Sequence, residues 1–137
     1  MFLLFITSGI RLHREVTLGK DFHIVHAGNI HIHPKTVIGD RCGILHNVTI
    51  GINMKSGAPV IGNDVFIGTG AVILGDITIG DGARIAANSL VIRNVPPGAT
   101  AIGVPAKCRK LQKMVQTDNQ DLVRGIKFRR PRERKAR

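Results

Sequence analysis

Residues 60–91 read VIGNDVFIGTGAVILGDITIGDGARIAANSLV, and every sixth residue of this stretch from Ile61 onward is aliphatic. The same period continues towards the N-terminus across two interruptions, so that thirteen blocks of six residues open with Leu, Ile or Val. The thirteen openings are Leu12, Leu18, Ile24, Ile32, Ile38, Ile44, Ile50, Ile61, Ile67, Ile73, Ile79, Ile85 and Val91. A fixed short period of this kind indicates a repeat architecture.

A period of six matches neither the α-helix, which repeats every 3.6 residues, nor the β-strand, which repeats every two. It matches a short strand followed by a corner. Most fifth residues of the blocks are small or apolar, and Gly, Asn and Asp are the residues that tolerate tight corners. We therefore expect the first and fifth residues, including Cys42 and Met54, to point inward. Three blocks would then form one coil of a triangular prism of stacked parallel strands.

Two insertions and a group of prolines delimit the repeats. Ile30 and His31 are extra between two blocks, as are Ser56–Val60, and insertions in a solenoid form loops that often carry function. Pro96, Pro97 and Pro105 end the pattern. The sequence thus predicts an all-β fold of about four coils over residues 12–106. A cap segment, residues 1–11, precedes the coils, and a tail, residues 107–137, follows with a short helix predicted over residues 107–123.

The positive charge is concentrated in the tail. The chain carries a net charge of +11, of which residues 107–137 hold +9. Such runs are usually solvated, and no aromatic residues are interleaved as a nucleic-acid stacking platform needs, so we do not expect nucleic acid as a partner. Two cysteines do not make a disulfide framework, which favours a reducing, cytoplasmic setting. The apolar start, residues 1–10, lacks signal-peptide features and is too short to span a membrane.

Two of the six histidines share one position in the repeat. His26 and His46 are each the third residue of a block, three blocks apart, so the register predicts that they stack on the same face. The same column continues as Thr69 and Ala87. A narrow, elongated ligand has room along these small residues, with its reactive end near the imidazoles.

Residues 26–51, HAGNIHIHPKTVIGDRCGILHNVTIG, and the segment from KSG at 55–57 to GVPAK at 103–107 resemble the hexapeptide acyltransferases. The similarity is greatest to the serine acetyltransferase branch and its polysaccharide-modifying relatives, and it covers about residues 12–110. The specific markers are the His26–Ala27 pair, VTIG at 48–51, KSG, VPPGAT at 95–100 and GVPAK. The resemblance implies a left-handed parallel β-helix.

The resemblance also implies a reaction. His26 would be the general base that takes the proton of an acceptor hydroxyl as its oxygen attacks the thioester of acetyl-CoA, a task suited to imidazole. His46 and Asn47 would bind the acceptor. Backbone N–H groups at the corners are candidates to stabilise the tetrahedral intermediate. No metal is expected.

The co-substrate and the assembly follow from the same resemblance. The CoA track would run over Gly51, Thr69 and Ala87, with Lys107 and Arg109, and also Lys110, placed to meet the CoA phosphates. The active sites would lie between the subunits of a homotrimer.

The chain departs from the serine-specific pattern at several positions. Val25 and Arg11 stand where that pattern has aspartates, and the short loop Ser56–Val60 lacks an Arg–His pair. These differences favour a sugar hydroxyl or another small alcohol over serine as the acceptor. His26 would then be oriented by a backbone carbonyl, by Glu15 or by Asp21.

Two other functions fit the same prism. A zinc lyase of the γ-carbonic anhydrase type needs three converging imidazoles, and His26 and His31 have an H-x4-H spacing, although their flanking residues do not match. A non-catalytic trimeric scaffold is the second alternative. We expect the remaining histidines to be structural or exposed: His13, His23 and His33.

Overall fold

The computed structural model of the protein describes residues 9–54 and 57–110. The apolar start before Gly9 and the basic tail after Lys110 lie outside the described residues. The described part contains short strands and no helix, so no helix there is long and apolar enough to cross a bilayer.

The strands are two to five residues long and are separated by tight corners. Their bounds are β1 Ile10–Leu12, β2 Thr17–Leu18, β3 His23–Ile24, β4 Ile30–Ile32, β5 Val37–Ile38, β6 Gly43–Ile44, β7 Thr49–Gly51, β8 Val60–Ile61, β9 Phe66–Ile67, β10 Val72–Leu74, β11 Thr78–Ile79, β12 Arg84–Ile85, β13 Leu90–Val91, β14 Ala99–Gly103 and β15 Ala106–Lys110.

Three parallel sheets form the faces of the prism. Sheet A has the order β1-β4-β7-β10-β13, sheet B has β2-β5-β8-β11, and sheet C has β3-β6-β9-β12-β14 with β15 at its edge. The chain visits A, B and C in turn, so each coil pairs its backbone with the coils on either side. The predicted stack of about four coils is confirmed.

The core consists mainly of the predicted inward positions. Ile30 belongs to it as well, because the insertion expected to form a loop is part of strand β4. All block openings from Ile32 to Val91 are at most 2% exposed, because each stacks directly on its counterpart in the next coil, as Ile44 does on Ile67. Leu12, Leu18 and Ile24 of the first coil are only partly buried against this core. One inward prediction is wrong. Met54 is fully exposed, because the chain leaves the coil after Gly51 and returns only at Val60.

The geometry of the corners explains why glycine and polar residues recur there. The fourth residue of each block between sheets B and C has a positive φ, for instance +55° at Asp21 and +54° at Arg41. Side chains at the same corner bond the coil below: the carboxylate of Asp40 accepts from Lys20 N–H at 2.8 Å, and Asp81 accepts from Asn63 N–H at 2.7 Å. These bonds hold successive corners in register.

The predicted helix starting at Lys107 is wrong over its first residues. Residues 106–110 form β15, which turns back at Gly103 and runs antiparallel to β14. The open edge of β14 offers unpaired backbone groups, and the returning chain satisfies them. The β-structure therefore extends to Lys110.

Candidate active site

The third corner of the prism, which links sheet C to sheet A, carries both predicted histidines. We call it the histidine corner; it comprises residues 25–29, 45–48, 68–71 and 86–89. Gly70 N–H donates to the carbonyl of His46 at 3.1 Å, and Asn88 N–H donates to that of Thr69 at 2.8 Å. With the strand register, these bonds align His26, His46, Thr69 and Ala87 in one column.

The two imidazoles meet edge to face. Their ring centroids are 6.1 Å apart at an interplanar angle of 66°. His26 is exposed, whereas His46 is half-buried. The Nδ1 atom of His46 is buried without a hydrogen-bond partner among the described residues, and a buried polar atom of this kind gains from a ligand that supplies one.

Gly28 makes room for this pair. A Cβ atom at Gly28 would lie 2.9 Å from the Cβ atom of His46, and its φ of +149° suits glycine. Asn47, next to His46, has a φ of +58°, so the turn itself accounts for an asparagine there. Its side chain is exposed at the mouth of the site.

Above the histidines the column consists of small residues. The pairing of Ile85 with Ala101 places Gly103 next in line after Ala87. Gly103 N–H donates to Ser89 Oγ at 3.1 Å, which fixes the upper end of the column. Thr69, Ala87 and Gly103 thus form a row of small residues that continues the column away from His46. We call it the small-residue groove.

Gly51 does not join this groove within one chain. It ends β7 on the far side of sheet A from the histidine corner, and Leu74 Cδ2 would lie 3.3 Å from a Cβ atom there. The predicted contact of Gly51 with the same ligand as Thr69 and Ala87 is therefore not assembled by a single subunit.

Lys107 and Arg109 lie at the upper edge of sheet C. Thr100 pairs with Arg109 on one side and with Arg84 on the other, so the two arginines flank one strand at a spacing of about 10 Å. Arg84 was not predicted. Its sixth position in the block indicates an outward side chain. Its proximity to Arg109, however, depends on the antiparallel pairing of β15 with β14.

The acids suggested as partners of His26 are at other corners. Glu15 lies between sheets A and B, and Asp21 between sheets B and C, whereas His26 follows sheet C. Within one chain neither carboxylate shares the corner of His26, so a single subunit does not bring either of them to its imidazole.

The zinc alternative has no converging ligands in the described structure. His31 is in β4 of sheet A, on a different face from the corner of His26. Within residues 9–54 and 57–110, no three His, Cys, Asp or Glu side chains are grouped to hold a metal ion.

Known proteins resemble the chain over most of this region. The family described as bacterial transferase hexapeptide (six repeats) matches residues 58–93. A serine acetyltransferase of Helicobacter pylori strain J99 is 42% identical over 106 residues, which are 75% of this chain and 61% of the relative.

Two solved structures share the architecture. Soybean serine acetyltransferase complexed with serine is 41% identical with a TM-score of 0.70, over 74% of this chain and 43% of that one. Serine acetyltransferase from Brucella abortus strain S19 in complex with coenzyme A is 39% identical with a TM-score of 0.69, over 72% and 40%.

The chain spans about three fifths of the Helicobacter relative and about two fifths of the solved structures. The shared part is the left-handed parallel β-helix. The chain thus matches the hexapeptide transferase family over residues 58–93, and over about three quarters of its length it is similar to serine acetyltransferases.

Proposed function

We propose that the protein transfers the acetyl group of acetyl-CoA to a hydroxyl of a small acceptor. The observation that carries the proposal is the stacked pair of His26 and His46 at the foot of the small-residue groove. The serine acetyltransferases, at about 40% identity, share this β-helix and support the same chemistry.

In this reaction His26 is the general base. Its exposed imidazole removes the proton of the acceptor hydroxyl while the oxygen attacks the thioester carbonyl. The tetrahedral intermediate collapses to the acetyl ester and the CoA thiolate, which takes the proton back from the imidazolium. Backbone N–H groups of the histidine corner are the candidates to stabilise the oxyanion.

The small-residue groove is the proposed path of the pantetheine arm. Thr69, Ala87 and Gly103 line it without large side chains, and it leads from the histidines towards the basic edge of sheet C. Lys107, Arg109 and Arg84 would meet the CoA phosphates there, since guanidinium and ammonium groups form charge-assisted hydrogen bonds to phosphate. The relative in complex with coenzyme A supports this choice of co-substrate.

The acceptor is a small alcohol, with serine and sugars as the classes to test. The relative complexed with serine supports serine. Val25, beside His26, is apolar and 42% exposed, so it offers no carboxylate to an amino group, which is why sugars remain in the proposal. In this proposal His46 and Asn47 contact the acceptor.

We also propose a homotrimer with its sites between subunits, in a reducing cytoplasmic setting. In this assembly Gly51, at the end of β7, would contact the CoA bound to a second copy of the chain. The two cysteines, Cys42 buried and Cys108 exposed, are unpaired, which fits a reducing compartment.

The test is an acceptor screen with release of the CoA thiol as readout, together with thermal shift in the presence of CoA. We expect acetyl-CoA-dependent acetylation of at least one hydroxyl compound, and a rise of the Tm with CoA because the ligand binds only the folded protein. A protein that neither responds to CoA nor releases thiol with any acceptor would be the non-catalytic scaffold instead.

A further inference from the structure

A second groove lies beside the histidine corner, on its sheet A side. Its volume is about 290 Å³, and its lining residues are Gly9, Arg11, Asn29, Ile30, His31 and Thr49. Asn29 follows His26 by three residues, so their Cα atoms are at most about 11 Å apart. The groove is therefore within reach of a small molecule whose hydroxyl lies at His26.

The polar lining groups are of the kind that bind anions. Arg11 and His31 are direct cross-strand partners on β1 and β4, and His31 pairs in turn with Thr49 on β7. Neighbouring strands are about 4.8 Å apart, so the guanidinium, imidazole and hydroxyl project side by side from one face. No carboxylate is among the lining residues.

Two further imidazoles lie in the same cross-strand rows. His13 and His33 follow the paired residues Leu12 and Ile32, and so extend the same rows. Burial lowers the pKa of His31, and Arg11, His13 and His33 lower it further. Arg11 is the permanently charged group among the lining residues, and an anion bound beside it would favour the protonated form of the His31 imidazole.

We infer that this groove is an anion subsite, which binds a negatively charged group of the acceptor while the acceptor hydroxyl lies at His26. The inference rests on the proposed acetyl transfer and narrows its acceptors to those that carry a carboxylate, phosphate or sulfate. The shared chemistry is an anionic oxygen group held by Arg11, with His31, Thr49 and Asn29 around it.

The kinetic test compares matched acceptors on the wild type and on Arg11→Gln. Two pairs of acceptors are compared: serine with serinamide, and glucuronate with glucose. In each pair only the first compound carries a carboxylate. We expect the wild type to prefer the carboxylate member of a pair, and Arg11→Gln to raise its KM about tenfold or more, the usual size for a lost charge-assisted hydrogen bond. The KM for acetyl-CoA and the kcat should stay near the wild-type values.

Arg14→Gln is the control, because Arg14 is an exposed arginine outside the groove lining. It should keep the wild-type KM for every acceptor. The subsite would be overturned if Arg11→Gln changed the KM of charged and neutral acceptors equally, or changed neither. Neither result would contradict the proposed acetyl transfer.

Sulfate titration tests the subsite without turnover. Followed by NMR of the imidazole signals, sulfate should raise the pKa of His31, which faces Arg11, His13 and His33, in the wild type and much less in Arg11→Gln. If sulfate leaves the pKa of His31 unchanged, the subsite is overturned. This result does not depend on finding an acceptor, whereas the absence of any acceptor would contradict the proposed function instead. Sulfate binding without a preference for charged acceptors would mean that the groove takes free anions, and would overturn its assignment to the acceptor.

Discussion

At the scale of single residues, the arrangement of His26 and His46 depends on a glycine. His46 is half-buried, and Gly28 is the residue whose missing side chain leaves space at its Cβ atom. The ring of His26 packs edge to face with that of His46. The position of the exposed imidazole thus depends on the buried one, and the position of the buried one on Gly28.

Gly28→Ala tests this dependence. The added methyl group would meet the Cβ atom of His46 at 2.9 Å, so the histidine must move. We expect acetyl transfer to fall by up to about 100-fold, because small displacements of catalytic groups have effects of that size. Gly82→Ala is the matched control: it also has a positive φ, +66°, but nothing lies within 4 Å of its new methyl group. Equal activity of the two variants would contradict the proposed packing role.

His31 makes stability depend on pH. Its pKa is lowered in the folded protein from 6.5, chiefly by burial, so the unfolded chain binds the proton more readily. Stability is therefore unaffected well above pH 6.5 and falls as the pH drops through 6.5 towards the lowered value. We expect the wild type to lose more Tm between pH 7.5 and pH 5 than His31→Gln does.

His23→Gln serves as the control for this comparison, because His23 lies on sheet C, away from Arg11, His13 and His33. It should follow the wild type. An identical pH dependence of the Tm in His31→Gln and the wild type would refute the assignment to His31.

At the scale of the elements, the six-residue period was sufficient to predict the strands, the inward positions and the column. Each of these follows from one fixed repeat, as the stacking of Ile44 on Ile67 and of His46 under Thr69 illustrates. Met54 and β15 could not be predicted in this way. The position of Met54 depends on the path of a loop, and that of β15 on the open edge of β14. Both lie where the six-residue period is interrupted, so the period does not predict them.

The small-residue groove gives a prediction at this scale. Ala87→Trp should fill the groove and abolish the rise of the Tm with CoA, while the protein without ligand keeps its stability because the side chain at 87 is exposed. Thr78→Trp places the same ring on the exposed outer side of sheet B and should retain the response to CoA. Full CoA binding by Ala87→Trp would show that CoA does not use this groove.

At the scale of the whole molecule, one chain holds only part of the proposed site. The histidine corner, the small-residue groove and the basic edge of sheet C lie close together, but Gly51 is at the far side of sheet A. Sequence alone could place Gly51 in the repeat, whereas the proposed contact of Gly51 and Thr69 with one ligand depends on the proposed assembly of several copies. Arg84 and the groove of Arg11 and His31 were missed for a similar reason, since each depends on a cross-strand neighbour.

The assembly is open to a direct measurement. We expect light scattering to give three times the mass of one chain at micromolar concentration. We also expect dilution to lower the acetyl-transfer rate per chain, because the proposed sites are completed between subunits. A monomer with full activity would contradict both the trimer and the shared site.

The central claim is that His26 is the general base, and the rate of acetyl transfer by His26→Ala at saturating acetyl-CoA tests it most directly. We predict a rate lower than that of the wild type by about 10²–10⁴-fold, the usual contribution of a general base, with CoA binding and Tm unchanged. Acetyl transfer by His26→Ala at the wild-type rate would contradict the account.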